Sequence, residues 1–560
     1  MMRSALAATL VVGVVSAVPA SAQAPPTPPD HYALTNARIV VAPGRVIERG
    51  TVVVRDGRIV AVGERVSVPA AAIQVDASGH NVYAGLIDAA SSVGLPSVVR
   101  QGGGFGRAAD DEAQEVMPGR EAADVWAPSD NELAQLRAAG VTTLGLAFNG
   151  GIFPGRIAAV STGSTNRSPV LRAGIAQQVL LGRRRGGYPG TLMASIAYVK
   201  QSFYDAQHGM RARQAWERQP SGPRPDYSPD TRALEPAVTG ALPVWLHGST
   251  ERELDNITRV ASDLAVRNFT VVGAQEGWRR IDLLRRVGAP VIVSLEFPTA
   301  NQISGRSFEL HVAPVTGEDH AAARADSAAV FEARGNAGAL ARAGIPIALS
   351  SYGMNSPVRL RAHVRAAIDA GLSPDDALRA LTVTPARLLG IESVAGTIET
   401  GKMANLVVVR GDIFDTDAPI RDVFLEGVRY QIPAPAQQQR GASARADAAA
   451  PSVTGEWVGE VDSPTGLMQF SLVIDGGGEN LTGRMSSDMG SIALSGMQSG
   501  SDITLSGTWT PPGGTALAVT VTGRITGDDL RGTITAQGMS PFEITARRQT
   551  PGAAIQEVSR

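Results

Sequence analysis

Between residues 85 and 395 short apolar runs alternate with helical stretches, and this alternation constrains the fold most. The clearest runs are Val141-Thr142-Thr143-Leu144-Gly145-Leu146-Ala147, Pro243-Val244-Trp245-Leu246-His247, Phe269-Thr270-Val271-Val272-Gly273, Pro290-Val291-Ile292-Val293-Ser294 and Pro346-Ile347-Ala348-Leu349-Ser350. Short continuous apolar runs alternating with helices read as buried strands in parallel β/α units. Helical patterns run from Asn131 to Ala139, from Thr250 to Val266 and from Ser356 to Ala370. Another opens at Ser373-Pro374-Asp375-Asp376, with Ser as N-cap, Pro in the first turn and acids at the positive helix end. A (β/α)8 barrel of the TIM type fits a segment of this length.

The flanks read differently. Tyr32-Ala33-Leu34-Thr35, Arg38-Ile39-Val40-Val41, Thr51-Val52-Val53-Val54 and Arg58-Ile59-Val60-Ala61-Val62 are strand runs with turn signals such as Asp56-Gly57 between them. Residues 404–409 and 423–429 continue the pattern on the far side of the barrel segment. Residues 31–84 and 396–432 are therefore expected to form one composite β-sandwich. Residues 433–452, rich in Pro, Ala and Gln, read as a linker. Residues 453–549 are Gly- and Thr-rich, show strand runs with no helix signal, and carry hairpin dipeptides at Asp475-Gly476 and Gly527-Asp528. They predict a separate antiparallel β domain, which resembles small lipocalin-like barrels.

A chain of 560 residues exceeds one core. With 43% apolar residues and a net charge of -2 it reads as globular, without the clustered positive charge of a nucleic-acid surface. Lysine occurs only at Lys200 and Lys402. There is no cysteine, which removes disulfides, thiolate nucleophiles and Cys-ligated zinc. Met1-Met2-Arg3, the apolar stretch from Ala5 to Val18 and Ala20-Ser21-Ala22 before Gln23 read as a cleavable signal over 1–22. The expected location is the periplasm or outside the cell, with no membrane span.

Gly85-Leu86-Ile87-Asp88-Ala89-Ala90-Ser91-Ser92 resembles the first barrel strand of the amidohydrolase superfamily, usually Pro-Gly-Leu-Ile-Asp-x-His-x-His. Ala139-Gly140-Val141-Thr142-Thr143, the block from Leu381 to Gly390 and that from Gly396 to Val408 are similar to further family segments. The likeness, which resembles imidazolonepropionase-like members, runs from about Tyr32 to Ile432. It implies a hydrolase of non-peptide carbon–nitrogen bonds that uses metal-bound hydroxide. Its ligands would be two His on strand one, sometimes a carbamylated Lys on strand four, a His on strands five and six, and an Asp on strand eight.

At those positions this chain has Ala90 and Ser92 on strand one, no His in Val272-Gly273-Ala274-Gln275-Glu276, and Ser351 or Tyr352 on strand eight. Lys200 falls in a helical stretch. His247 is the retained ligand position and the one candidate catalytic residue. No metal is expected unless an alternative set takes zinc or another divalent ion, drawn from Asp88, Glu276, Glu296, His311 and His320. Glu276 reads rather as a cap or start of the next helix, His311 and His320 as solvated loop residues, and His363 as a surface residue. Arg183-Arg184-Arg185 offers an anion site and Asp110-Asp111-Glu112 with Glu115 a cation site, though solvated loops read the same way. Ser91, Ser92, Ser350 and Ser351 lack the setting of an activated nucleophile. Three readings stand: a hydrolase, a catalytically silent homologue binding a small molecule or peptide, and a scaffold that docks through its C-terminal domain.

Overall fold

Side chains alternate across a strand, so a strand with two buried faces needs apolar residues throughout. The barrel segment meets that requirement in the computed structural model, which describes residues 31–96, 116–163, 169–182, 189–220, 222, 224–226, 228–297, 317–354, 356–433, 453–463, 466–477, 480–487, 490–509, 517–536 and 542–548. The signal segment, Arg183-Arg184-Arg185, the acidic run at 110–115, His311 and nearly all of the linker lie outside the described residues. The chain divides into two compact units, residues 1–437 and 438–560.

The first unit opens with β1 (His31–Ala42), β2 (Arg45–Arg55), β3 (Arg58–Gly63), β4 (Ile73–Asp76) and β5 (Asn81–Ala84). β15 (Leu406–Val409), β16 (Ile420–Leu425) and β17 (Val428–Gln431) join them from the far end of the barrel segment. All eight make one mixed sheet in the order β17-β16-β15-β5-β1-β2-β3, with β4 on β1. The sheet curls until β3 meets the turn leading into β15: Ile59 N donates to Lys402 O at 2.9 Å and Gly401 N to Ile59 O at 2.8 Å. The expected two runs at 32–35 and 38–41 are one strand, irregular between Leu34 and Ala37, where Asn36 takes φ 57°. Lys402 holds the returning turn, with Nζ donating to Thr397 Oγ1 at 2.7 Å and Ala395 O at 3.3 Å.

The barrel has parallel strands β6 (Leu86–Ser91) and β7 (Val141–Leu146), then β10 (Gln177–Leu180), β11 (Val244–Gly248), β12 (Phe269–Gly273), β13 (Val291–Ser294) and β14 (Ile347–Ser350). β14 lies against β6. The domain is TIM-barrel-like, with one departure from eight uniform β/α units. Where a third parallel strand is expected, β8 (Ala158–Ser161) runs antiparallel to β7 and carries β9 (Val170–Arg172) outside it.

Alternation along these strands builds two cores. Val244, Leu246, Val271, Val291, Val293, Ile347 and Leu349 face the surrounding helices. Trp245, Val272, Ile292, Ala348, Ala89 and Ala90 fill the interior. The helices start where their caps are: Ser129 and Thr250 each form a capping box ahead of α2 (Asp130–Ala138) and α5 (Glu251–Asp263), following α1 (Ala122–Val125), α3 (Leu192–Arg218) and α4 (Pro229–Val238). Lys200 lies in α3 and pairs with Asp263 at 2.9 Å, on the outside.

The second unit is a closed antiparallel barrel of eight strands: β18 (Gly455–Ser463), β19 (Gly466–Gly477), β20 (Asn480–Ser487), β21 (Gly490–Ser499), β22 (Asp502–Trp509), β23 (Leu517–Thr526), β24 (Asp529–Ala536) and β25 (Phe542–Arg548). Closure pairs β18 with β25 and leaves no free edge. Its own apolar core centres on Trp457, Phe470, Leu472, Leu505 and Val521. A fragment beginning at Pro451 is expected to fold alone and give a β-type circular dichroism spectrum. Trp457 is fully buried and its Nε1 donates to Val453 O at 3.1 Å. Trp457→Ala should destabilise that fragment by about 3–5 kcal/mol. An unfolded wild-type fragment would show that this unit needs the rest of the chain.

Candidate functional site at the barrel mouth

Inward positions at the C-terminal ends of barrel strands converge on one face, where barrel enzymes place their chemistry. On β11 the inward residue below the mouth is Trp245, and the next is His247. His247 is 8% exposed, and neither ring nitrogen has a hydrogen-bond partner. Burial drives its pKa down to about 3, so the imidazole is neutral at ordinary pH. Tyr352, just beyond β14, packs against it with ring centroids 4.8 Å apart. The Tyr352 hydroxyl donates to Phe148 O at 3.1 Å, just beyond β7.

Asp88 on β6 forms the second feature. It is buried and accepts hydrogen bonds from Ser351 N at 2.9 Å and from Ser351 Oγ at 2.5 Å. Ser91 Oγ lies 3.2 Å from Ser351 Oγ. Burial raises the Asp88 pKa to about 6, against the downward pull of its donors, chiefly Ser351. Ser91 and Ser351 are themselves buried, and their hydroxyls serve this carboxyl. Ser350 Oγ donates to Val293 O at 3.2 Å.

Ala90 is fully buried in the barrel interior and presents only a methyl group. Ser92 follows the strand, and its carbonyl accepts from Leu95 N at 3.1 Å. Glu276 turns away to cap α5, with Oε2 accepting from Glu251 N at 2.7 Å. Glu296 is bound by Gln275 Nε2, at 2.9 Å to its carbonyl and 3.4 Å to its carboxylate, and burial raises its pKa. None of Asp88, Glu276 and Glu296 hydrogen-bonds to His247. His320 lies in helix 317–342 rather than a loop. His363 is not on the surface as expected: it is half-buried, stacked on Phe297 at 5.3 Å, with Nδ1 2.7 Å from Leu295 O. Apolar cover from Phe297 decides its place, and the arginines around it in sequence gave no hint of that.

Catalytic zinc takes about three N or O protein donors around an open position. A methyl at 90, and a hydroxyl at 351 already donating to Asp88, do not supply them. Among the described residues no group of three or more His, Asp or Glu is gathered closely enough to hold a metal ion. A neutral imidazole offers one donor and one acceptor, and Asp88 is a carboxyl that titrates near neutrality.

Sequence reasoning passed over Gln178, Phe148 and Arg120. Gln178 is buried and bonds both ends of Phe148, at 2.9 Å to its N and 2.7 Å to its O, fixing the carbonyl that Tyr352 uses. The only signal for it was a pair of glutamines, Gln177 and Gln178, opening a strand completed by Val179 and Leu180.

A family model described as the amidohydrolase family matches residues 311–431. A search of curated proteins finds no significant match. Among solved structures, an amidohydrolase from Thermotoga maritima MSB8 is similar at 22% identity and TM-score 0.58, over 72% of this chain and 100% of that one. A Xaa-Pro dipeptidase with bound methionine matches at 14% identity and TM-score 0.44, over 72% of this chain and 100% of its own. An adenosine deaminase from Xanthomonas campestris with bound zinc matches at 16% identity and TM-score 0.39, over 73% and 94%. The match ties residues 311–431 to the amidohydrolase family, and the barrel with its flanking sheet shares the fold of the Thermotoga maritima amidohydrolase.

Proposed function

We propose that this chain keeps the superfamily barrel as a metal-free pocket, binding a small polar molecule at the mouth. The observation that carries the reading is His247, nine-tenths buried with both nitrogens unpartnered. A buried polar group left unsatisfied costs stability of about 1–3 kcal/mol, so a position like this is explained by a partner that arrives from solution. Donor and acceptor on one imidazole suit an amide, a hydroxyl or another neutral group with both functions. The expected signal over 1–22 would put this binding in the periplasm or outside the cell. Thermal melts with added zinc test the reading. A ligand stabilises only through binding to the native state, so zinc should leave the melting temperature within error of the metal-free value. A saturable rise, absent from His247→Ala, would contradict it.

Hydrolysis of carbon–nitrogen bonds outside peptides is the second reading, and Asp88 favours it. A carboxyl with its pKa raised to about 6 is poised for proton transfer near neutral pH. Turnover of a cyclic amide by chelator-treated protein, lost in Asp88→Asn, would bring this reading forward. The scaffold reading has no comparable observation behind it.

A further inference from the structure

Arg120 stands apart from the other arginines at this end of the barrel. It belongs to the segment that leaves the C-terminal end of β6, and its guanidinium lies 4.3 Å from the centre of the Phe148 ring. Nε donates to Pro154 O at 2.7 Å. Nη2 is buried without a partner, and no carboxylate pairs with the group among the described residues. Burial shifts its pKa downward. A desolvated cation left unpaired is costly, which is why buried charges are normally paired.

The backbone that carries it is held firmly. Met117 N donates to Phe153 O at 2.7 Å, Arg120 N to Met117 O at 2.9 Å, and Arg156 N to Arg120 O at 2.7 Å. Gly155, at φ 147°, lets the segment from Phe153 to Arg156 approach: a Cβ there would sit 2.6 Å from Arg120 O and 2.7 Å from the Phe148 ring. Contacts then run from Arg120 to Phe148, from the Phe148 carbonyl to the Tyr352 hydroxyl, and from the Tyr352 ring to His247. Phe148, Tyr352 and His247 all stand at C-terminal ends of barrel strands, so the unpaired cation borders the same mouth as the unpaired imidazole.

We infer that Arg120 anchors a carboxylate, and that the ligand of this pocket is a small carboxylic acid whose neutral polar part meets His247. The inference rests on the pocket reading above. With Nε committed to Pro154 and Nη2 unpartnered, the terminal edge of the guanidinium is the part left to meet a planar carboxylate, a geometry that guanidinium favours. One cation matches one negative charge, so a monoanion suits the site better than a phosphate dianion.

Propionate and propionamide form the test pair, because they have nearly the same shape and differ in charge. Each is titrated into the full chain at constant ionic strength, with the melting temperature as readout and phosphate as a third arm. Propionate should bind at least about tenfold more tightly than propionamide. Arg120→Met should make the two equal, and without ligand it should melt no lower than wild type, since it removes an unpaired charge. Arg120→Lys keeps the charge without the fork and should retain only part of the preference. His247→Gln should weaken both probes. Equal binding of the two probes to wild type, with both weakened by His247→Gln, would overturn the carboxylate anchor and leave the pocket reading standing. Phosphate binding more tightly than propionate would overturn the monoanion assignment. Binding of neither probe, or binding indifferent to His247→Gln, would overturn both readings. A fall in the melting temperature of ligand-free Arg120→Met would mark Arg120 as structural support for Phe148.

Discussion

Replacing His247 with Gln should change how stability responds to acid by roughly 5 kcal/mol across the pH range. In the folded protein, burial keeps this imidazole neutral down to about pH 3, whereas its ordinary value is 6.5. Between those limits the unfolded chain binds a proton that the folded chain refuses. The stability contribution of neutral His247 is therefore complete above pH 6.5 and is lost as pH falls towards 3. Asp88 works in the opposite sense. Its carboxyl titrates at about 6 in the folded state and at 3.8 ordinarily, so its contribution is complete below 3.8 and lost as pH rises through 6. That difference amounts to roughly 3 kcal/mol. Between about pH 4 and 6 the two slopes cancel in the wild type. His247→Gln uncovers the Asp88 slope, and the variant should gain stability relative to wild type as the solution is acidified. Asp88→Asn should do the reverse and become acid-labile. Urea melts at a series of pH values measure both. Parallel pH profiles for wild type and His247→Gln would show that the imidazole is not held neutral by burial.

Asp422→Ala should cost about 3–5 kcal/mol, the usual result of removing one partner from a buried ionic cluster. Asp422 lies on β16 with a fully buried side chain, 2.7 Å from Arg421 Nε and 2.8 Å from Arg429 Nε. The two arginines are themselves only 33% and 23% exposed. Taking away the carboxylate leaves two half-buried cations facing each other across β16 and β17. Arg421 also donates to Asp76 O at 2.9 Å, which ties the far flank to the strands that begin the chain. Loss of Asp422 should therefore loosen the whole composite sheet. Denaturant unfolding followed by near-ultraviolet circular dichroism gives the cost. A change under 1 kcal/mol, as exposed ion pairs give, would show that water reaches the cluster.

Much of the barrel could be read from the chain, because strands buried on both faces have to be apolar throughout. Val271-Val272 and Val291-Ile292-Val293 are such strands, and Thr250 ahead of Glu253 announces the start of α5. β8 was not legible as an antiparallel strand, because Ala158–Ser161 has the same apolar character whichever way it runs. In the C-terminal barrel, Gly483 and Gly496 break the alternation that marks a strand, so β20 and β21 are faint in the sequence. At the mouth, His247 was visible from its place at a strand end. The Asp88–Ser351 contact was not, because those residues are 263 positions apart and the pairing depends on β14 lying beside β6. Arg120 was invisible for a related reason. Its buried Nη2 has no hydrogen-bond partner, and nothing in the residue order announces that.

Whether this mouth holds a metal separates a binding pocket from a metal-dependent hydrolase. Elemental analysis of the full-length purified protein measures that directly, alongside His247→Ala. Ala90, Ser92 and Ser351 offer a methyl and two hydroxyls where imidazoles and a carboxylate are needed, so far less than one zinc or other transition metal per chain is expected. The variant should give the same low value. A stoichiometric metal in wild type that disappears in His247→Ala would contradict the account and return the barrel to metal-dependent hydrolysis.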